Sequence, residues 1–335
     1  MKILHTADIH LREYNDERWQ ALRRIVEESL QQQVDVLVIS GDLFDSTADA
    51  QKLRSKIREL FNELSCPVIL IGGNHDAQAY PEGTFWGPTV TVIRDLLTPV
   101  EIQGAYFWGF PYEDLLEEEI LEYLHLAGSM AGPEATHILL FHGELLDFTE
   151  GWAGYGDEGQ RRYLPVKLSY FRELPWQYVL AGHFHSNFEV HEFSPERYFV
   201  YPGSPIPITR REIGPRRVNL FRIGEPPTPM PLDTPFYERM ELRLHPFLRE
   251  DPLTLIHTRL GQLPEQGRLL VEVTGYYDGS ALGMTEEELY RALSRLKSER
   301  LDFTRLEFRD VRDIVEDELF KMFVKRLQEK PWDEQ

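Results

Sequence analysis

The chain is punctuated by short apolar runs, each stopping at a cluster of acid, amide or imidazole side chains. Residues 3–4 run towards Asp8-Ile9-His10, and residues 34–39 into Gly41-Asp42-Leu43-Phe44-Asp45. Residues 68–71 lead to Gly72-Gly73-Asn74-His75-Asp76, 138–141 to His142-Gly143-Glu144, and 178–181 to Gly182-His183-Phe184-His185. Short continuous runs of this kind read as strands buried on both faces. Between the first three, Trp19, Leu22, Val26 and Leu30, then Leu53, Ile57, Leu60, Phe61 and Leu64, recur at helical spacing. Strand alternating with helix predicts a layered α/β sheet. In an open sheet, groups at the carboxyl ends of neighbouring strands converge on one crevice although remote in sequence.

Taken singly, each cluster has a plain structural reading as a turn Asp, a helix cap or a surface His. Asp45 or Ser46, for example, would cap a helix starting near Asp49. His183 and His185 are the sharper pair, because two imidazoles two residues apart on extended chain reach the same face, which suits metal ligation. Of the 11 histidines, His10, His75, His142, His183 and His185 fall at such strand ends, whereas His5, His125, His137, His191, His245 and His257 do not. The ordered set D-x-H, GD-x-x-D, GNHD, H-G and GH-x-H is too specific for chance.

Composition removes several alternatives. Cys66 is the only cysteine, so no intramolecular disulfide or thiolate zinc site can form. No GxxxxGK[ST] loop is present, which excludes a P-loop nucleotide site. No segment approaches the ~20 apolar residues of a membrane helix, and the opening residues lack a signal-peptide core, so a cytoplasmic protein with no membrane partner is expected. A net charge of -20 argues against wholesale coating of nucleic acid and confines any phosphate-binding surface to a local patch.

The proline-rich stretch 224–235 breaks the pattern and predicts a domain boundary. The expected division is a domain at 1–225, a linker at 226–235, a small α+β module at 236–310, and a C-terminal helix and tail at 311–335. Within the module, 237–244, 268–274 and 303–308 read as extended, and 252–260 and 286–296 as helical. Val311, Ile314, Val315, Leu319, Met322, Phe323 and Leu327 form an apolar stripe. Such a stripe docks on its own module or on a partner, and the first is the simpler expectation.

The ordered clusters resemble those of the calcineurin-like binuclear metallophosphoesterases over residues 1 to about 221. That resemblance implies a layered sandwich of β sheets flanked by helices. It also implies two divalent metal ions, one held by Asp8, His10, Asp42 and His185, the other by Asp42, Asn74, His142 and His183, with His75 catalytic. The donor mixture makes physical sense: two dications held by only two carboxylates and otherwise neutral groups stay positive towards a phosphate. A metal pair about 3.5–4 Å apart can activate a nucleophile and stabilise both oxygens of an in-line displacement.

The opening residues 2–10, the segment 40–45, Phe110-Pro111-Tyr112 and Tyr201-Pro202-Gly203-Ser204-Pro205 resemble the SbcD-type DNA repair exonucleases, and the module from 236 resembles that family's capping domain. The resemblance implies a manganese-dependent DNA exonuclease and endonuclease, a homodimer, and an SMC-like ABC ATPase partner of the SbcC type. Some relatives carry His where this chain has Asp45, so an accessory catalytic role there does not transfer. Between 197 and 222 the chain carries Arg197, Arg210, Arg211, Arg216, Arg217 and Arg222 against one acid, Glu212, a candidate phosphate-contacting tract. Phosphatase or cyclic-nucleotide phosphodiesterase activity on the same metals, or a DNA-end-binding scaffold, are the competing readings.

Overall fold

The computed structural model describes residues 1–148, 163–248, 250–316 and 318–329. They form two compact units, 1–236 and 237–335.

Two six-stranded sheets build the first unit. One contains β1 (Lys2–Thr6), β2 (Val36–Ser40), β3 (Val68–Ile71) and β4 (Val90–Val92). The other contains β5 (Val100–Ile102), β6 (Ala105–Phe110), β7 (Thr136–His142), β8 (Tyr178–Gly182), β9 (Glu189–Ser194) and β10 (Arg197–Tyr201). The chain then returns to the first sheet through β11 (Arg217–Arg222) and β12 (Pro229–Pro231), giving the order β12-β11-β1-β2-β3-β4. The second sheet runs β5-β6-β7-β8-β10-β9.

Side chains alternate along a strand, and here both faces find a core. Ile3, Val36, Val38, Ile69 and Ile71 meet Phe107, Ile138, Leu140, Tyr178 and Leu180 between the sheets. Leu4, Leu37, Ile39, Val68 and Leu70 face outwards onto α1 (Glu17–Gln31) and α2 (Thr47–Phe61), which contribute Leu22, Val26, Leu53 and Ile57. On the far side Leu139, Phe141, Val179 and Ala181 pack with Ile120 and Leu124 of α3 (Glu117–Met130) and Phe171 of α4 (Leu168–Phe171). Burial on both faces is why these strands read as unbroken apolar runs rather than alternating ones. Emptying one such position, as in Leu140→Ala, costs roughly 2–5 kcal/mol.

Two expectations are sharpened and one is corrected. The expected layered sandwich of β sheets is present, and the apolar runs divide between its two sheets: β1, β2 and β3 belong to one, β7 and β8 to the other, because the hairpin β5–β6 starts a second sheet that the pattern of apolar runs does not reveal. The stretch 226–235 is not a free linker. Its residues 229–231 form β12 antiparallel to β11, Met230 and Leu232 pack on the core, and the buried Thr234 hydroxyl donates to the Pro205 carbonyl. Proline is tolerated in such a strand because it lies at the sheet edge. Of the two residues expected to cap α2, Ser46 does so, its Oγ accepting from Asp49 N at 3.2 Å, while Asp45 is engaged by Arg12 and Arg18.

The second unit is a three-stranded sheet, β13 (Phe236–Leu244), β14 (Gly267–Tyr277) and β15 (Leu301–Asp310), in that order. It packs with α5 (Pro252–Gln262) and α7 (Glu286–Arg295), while the short α6 (Gly279–Leu282) precedes α7. Asp251 caps α5 ahead of a proline, and Thr285 with Glu288 forms a capping box on α7. Leu242, Leu244, Ile256, Val271, Val273, Leu289, Leu293 and Phe308 make its core.

The C-terminal stripe divides into α8 (Val311–Glu316) and α9 (Glu318–Gln328). Helix α9 buries none of its described side chains, and Leu319, Met322 and Phe323 are exposed, so among the described residues α9 does not bury the apolar stripe expected to dock on its own module. The side chains of Ile314 and Val315 lie outside the described residues. Among the described residues no helix is long and apolar enough to cross a membrane.

Candidate metal centre

The carboxyl ends of β1, β2, β3, β7 and β8 meet at one edge of the sandwich, as parallel strands of an α/β architecture dictate. Asp8, His10, Asp42 and His183 all hold positive φ, at 56°, 52°, 48° and 108°. Non-glycine residues adopt this region rarely and at a cost, and such outliers gather at functional sites. Pairing of the two turns offsets the cost here: Ile9 N and His10 N donate to Asp42 O at 2.9 and 3.0 Å, and Leu11 N to Leu43 O at 3.0 Å. Gly41 at φ 92° completes the turn, since a Cβ there would fall 2.1 Å from Nδ1 of His142.

The structure brings Asp8, His10, Asp42, Asn74, His142, His183 and His185 together. One N or O atom from each of Asp8, His10 and His185 lies within 4.8 Å of the others, and the same holds for Asp8, Asp42 and His142. Asp42 is central. Its Oδ2 lies 3.7 Å from Nε2 of His10 and 3.3 Å from Nε2 of His142, while Oδ1 accepts the backbone N–H of His75 at 2.9 Å. Asn74 Oδ1 sits 3.0 Å from Nε2 of His142 and 3.2 Å from Nδ1 of His183. Both Asp8 oxygens accept from His183 N at 3.0 Å.

Burial pushes the Asp8 carboxyl up, and the imidazoles of His185 and His142 only partly offset it. Burial also opposes ionisation of Asp42, but there His142, His10 and His75 win and hold it far below the carboxylate range.

Whether these groups suit metal ions is decided by which nitrogen of each ring carries the proton. His10 turns Nδ1 to Asp45 Oδ1 at 3.5 Å, and His185 turns Nδ1 to Glu212 Oε1 at 3.6 Å. A carboxylate facing Nδ1 favours the proton of each neutral ring on that nitrogen, which leaves lone pairs on two Nε2 atoms only 3.2 Å apart. Two facing lone pairs repel unless a cation or proton lies between them. Two buried carboxylates alongside, with imidazole and amide donors and no thiolate, complete a set that fits hard or borderline divalent ions.

His75 stands half-buried at the rim, its ring edge-on to His10 at 4.6 Å. Its Nδ1 faces the Asp45 carbonyl at 3.2 Å, so that nitrogen donates. Asp45 is itself held by Arg12 at 2.9 Å and Arg18 at 3.0 Å. Burial opposes its ionisation, and His10 with the two guanidiniums outweighs that and keeps it ionised.

Three acids acquire positions that the sequence reading did not assign. Asp76 accepts from Phe44 N at 3.1 Å, Gly73 N at 2.8 Å and Tyr80 Oη at 2.7 Å, pinning the Asp42 turn to the Asn74 turn. Glu144 accepts from Tyr163 N at 3.1 Å and lies 3.9 Å from Nε2 of His183. Glu212 is fully buried. Asp76 and Glu144 could have been found as the acids closing the GNHD and H-G-E clusters, whereas Glu212 gave no signal beyond being a lone acid among arginines.

The arginine tract divides. Arg210, Arg211, Arg217 and Arg222 are exposed, but Arg216 is only 3% exposed with its guanidinium on backbone carbonyls, and Arg197 donates to Leu174 O at 2.7 Å. Arg216 is therefore withdrawn as a phosphate contact and serves the fold.

A family model for calcineurin-like phosphoesterases matches residues 1–202. Among solved structures, TT1561 of Thermus thermophilus aligns at 14% identity over 65% of this chain and 92% of its own, with a TM-score of 0.42. GAP50, the anchor in the inner membrane complex of Plasmodium, aligns at 13% identity over 61% and 72% of the two chains, with a TM-score of 0.39. With the matched segment spanning every group gathered at the sandwich edge, the chain belongs to the calcineurin-like phosphoesterases.

Proposed function

We propose that this phosphoesterase hydrolyses the phosphodiester backbone of DNA, with manganese as its metal, acting as exonuclease and endonuclease in double-strand break repair. The observation that carries the reading is the convergence of seven N and O donors from separate strand ends, with His75 at their rim. A bound pair of divalent ions would supply Lewis acidity towards a phosphoryl oxygen and an acidified water. Asp8 and Asp42 place negative charge where that pair is held, and the four imidazoles and Asn74 add donors without adding charge. His75, fixed through its own N–H to Asp42 and through Nδ1 to Asp45, stands beside the donor cluster, where an imidazolium can protonate the leaving oxygen.

Support for DNA over a small phosphate ester comes from the four segments that resemble SbcD-type nucleases, from the α+β unit after residue 236, and from exposed Arg210, Arg211 and Arg217. In this reading the second unit caps the DNA, the protein works as a homodimer in the cytoplasm, and an SbcC-type ATPase is its partner. The test is metal-stripped protein reloaded with manganese, given linear duplex DNA, a chromogenic phosphomonoester and a cyclic nucleotide in parallel. Release of nucleotides from DNA ends is expected. Preferential turnover of either small ester would replace the nuclease reading with that activity, and tight end binding without cleavage would leave a scaffold.

A further inference from the structure

The family match ends at residue 202, yet the chain beyond it returns directly beneath the loop that carries His185. Ser204 N donates to His185 O at 3.0 Å. Gly203, at φ 71°, permits that approach, because a Cβ there would lie 3.1 Å from the carbonyl oxygens of both His185 and Asn187. Arg216 then fastens the two segments. Its Nε reaches Ser204 O at 2.9 Å, Nη1 reaches Ser186 O at 3.2 Å, and Nη2 bonds His185 O and, at 3.1 Å, Ser204 Oγ. The Tyr201-Pro-Gly-Ser-Pro205 motif is thus the floor of a ligand loop.

Into this floor the fold buries Glu212 with no exposed surface. A buried carboxylate is costly unless its lone pairs are met. Here Oε2 accepts from Ser204 Oγ at 3.0 Å and Ile208 N at 2.8 Å, and Oε1 from Thr209 N at 2.9 Å and Thr209 Oγ1 at 3.2 Å. Backbone donors on both oxygens fix the group independently of His185, and they disfavour a glutamine, whose amide would confront an N–H. So placed, Oε1 faces Nδ1 of His185 at 3.6 Å, while Nε2 on the opposite side of that ring faces His10 and Asp8.

We propose that Glu212 is a positioning residue of the metal centre: it receives the Nδ1–H of His185 and so fixes the tautomer and aim of the imidazole that, with Asp8 and His10, holds one ion. The proposal rests on the metallophosphoesterase reading and extends it to a residue outside the matched segment. A carboxylate behind a ligating imidazole raises its basicity and locks its orientation, and removing such a partner typically costs 10–100-fold in metal affinity.

The experiment titrates metal-free wild type, Glu212→Gln, His185→Ala and the double variant with manganese by calorimetry. Cobalt absorption spectra report ligand geometry, and thermal unfolding of each metal-free protein monitors the fold. The expected result is an affinity loss of about 10–100-fold for one ion in Glu212→Gln, with the second ion held as in wild type and an altered cobalt band. Added to His185→Ala, the substitution should cause no further loss, because it acts through that ring. Unchanged affinity for both ions in Glu212→Gln, or additive losses in the double variant, overturns the proposal. Should Glu212→Gln not fold, Glu212→Asp, which keeps the charge but withdraws it from His185, is expected to weaken the same ion, and wild-type affinity there is equally fatal. A wild-type protein that binds no metal would instead refute the phosphoesterase reading on which the proposal stands.

Discussion

Nδ1 of His142, the last residue of β7, lies 2.8 Å from the carbonyl oxygen of Ser40, the last residue of β2, so one bond ties the two sheets together at the metal centre. A carbonyl can only accept, hence Nδ1 carries a proton and Nε2 is the nitrogen turned to Asp42 and Asn74. Burial alone would push this imidazolium down, but Asp42 and Asp8 outweigh it and hold it at about 10. At neutral pH the metal-free ring is therefore charged, and an ion must displace the Nε2 proton. Manganese titrations in two buffers of different ionisation enthalpy should reveal proton release on binding and weaker affinity as pH falls. A heat of binding independent of buffer would contradict this.

His75 and Asp42 should separate cleanly by substitution. His75→Gln is expected to keep both ions and lower kcat by about 10²–10⁴, the usual scale of a lost general acid. Asp42→Ala is expected to lose both ions, because one carboxylate faces imidazoles on either side of the centre. Elemental analysis beside steady-state kinetics checks the pair, and two ions retained in Asp42→Ala would refute the bridging role.

Asp76 should leave a pH signature on the stability of the metal-free protein. Burial first, and then the charge of Asp42, push its carboxyl up to about 7 despite bonds from Tyr80, Gly73 and Phe44. A raised folded pKa means the folded state binds the proton more tightly. Its stabilising contribution is thus fully present below the unfolded value of about 3.9 and disappears as pH rises through 7. Urea unfolding at pH 5 and pH 8 should show this loss in wild type and a smaller one in Asp76→Asn, which cannot ionise. Parallel slopes in the two proteins would dismiss the assignment.

If the exposed arginines contact phosphates, Arg210→Gln, Arg211→Gln and Arg217→Gln should each weaken duplex binding and reduce the salt dependence. Each lost contact should lower the slope of log K against log salt by about 0.9. Arg216→Gln should instead lower stability, since its guanidinium bonds backbone carbonyls at 2.9 and 3.2 Å. Equal slopes for wild type and the surface variants would remove the tract from the DNA interface.

Much of the centre is legible in the sequence because its candidate ligands sit at the last residue of, or up to four residues beyond, strands buried on both faces, and such strands write themselves as unbroken apolar runs. What the sequence hides is anything set by tertiary pairing. The runs ending at Ser40 and at His142 look alike, and only the hairpin β5–β6 assigns the second to another sheet. The role of Glu212 depends on a return of the chain under His185 that no local spacing encodes. Arg216 and Arg217 are neighbours of identical type, yet Arg216, just before β11, is buried on the carbonyls of Ser204 and Ser186, while Arg217, the first residue of the strand, is exposed.

The edge strand β12 bears on how copies of this molecule can meet. Met230 is paired with Val218, so the positions whose backbone faces away from the sheet are Pro229 and Pro231, neither of which has an N–H to offer. A strand from a second chain would find acceptors there without donors, and could not extend the sheet through a regular ladder. Self-association across this border must therefore proceed through side-chain surfaces, which leaves it closed to amyloid-like stacking as well.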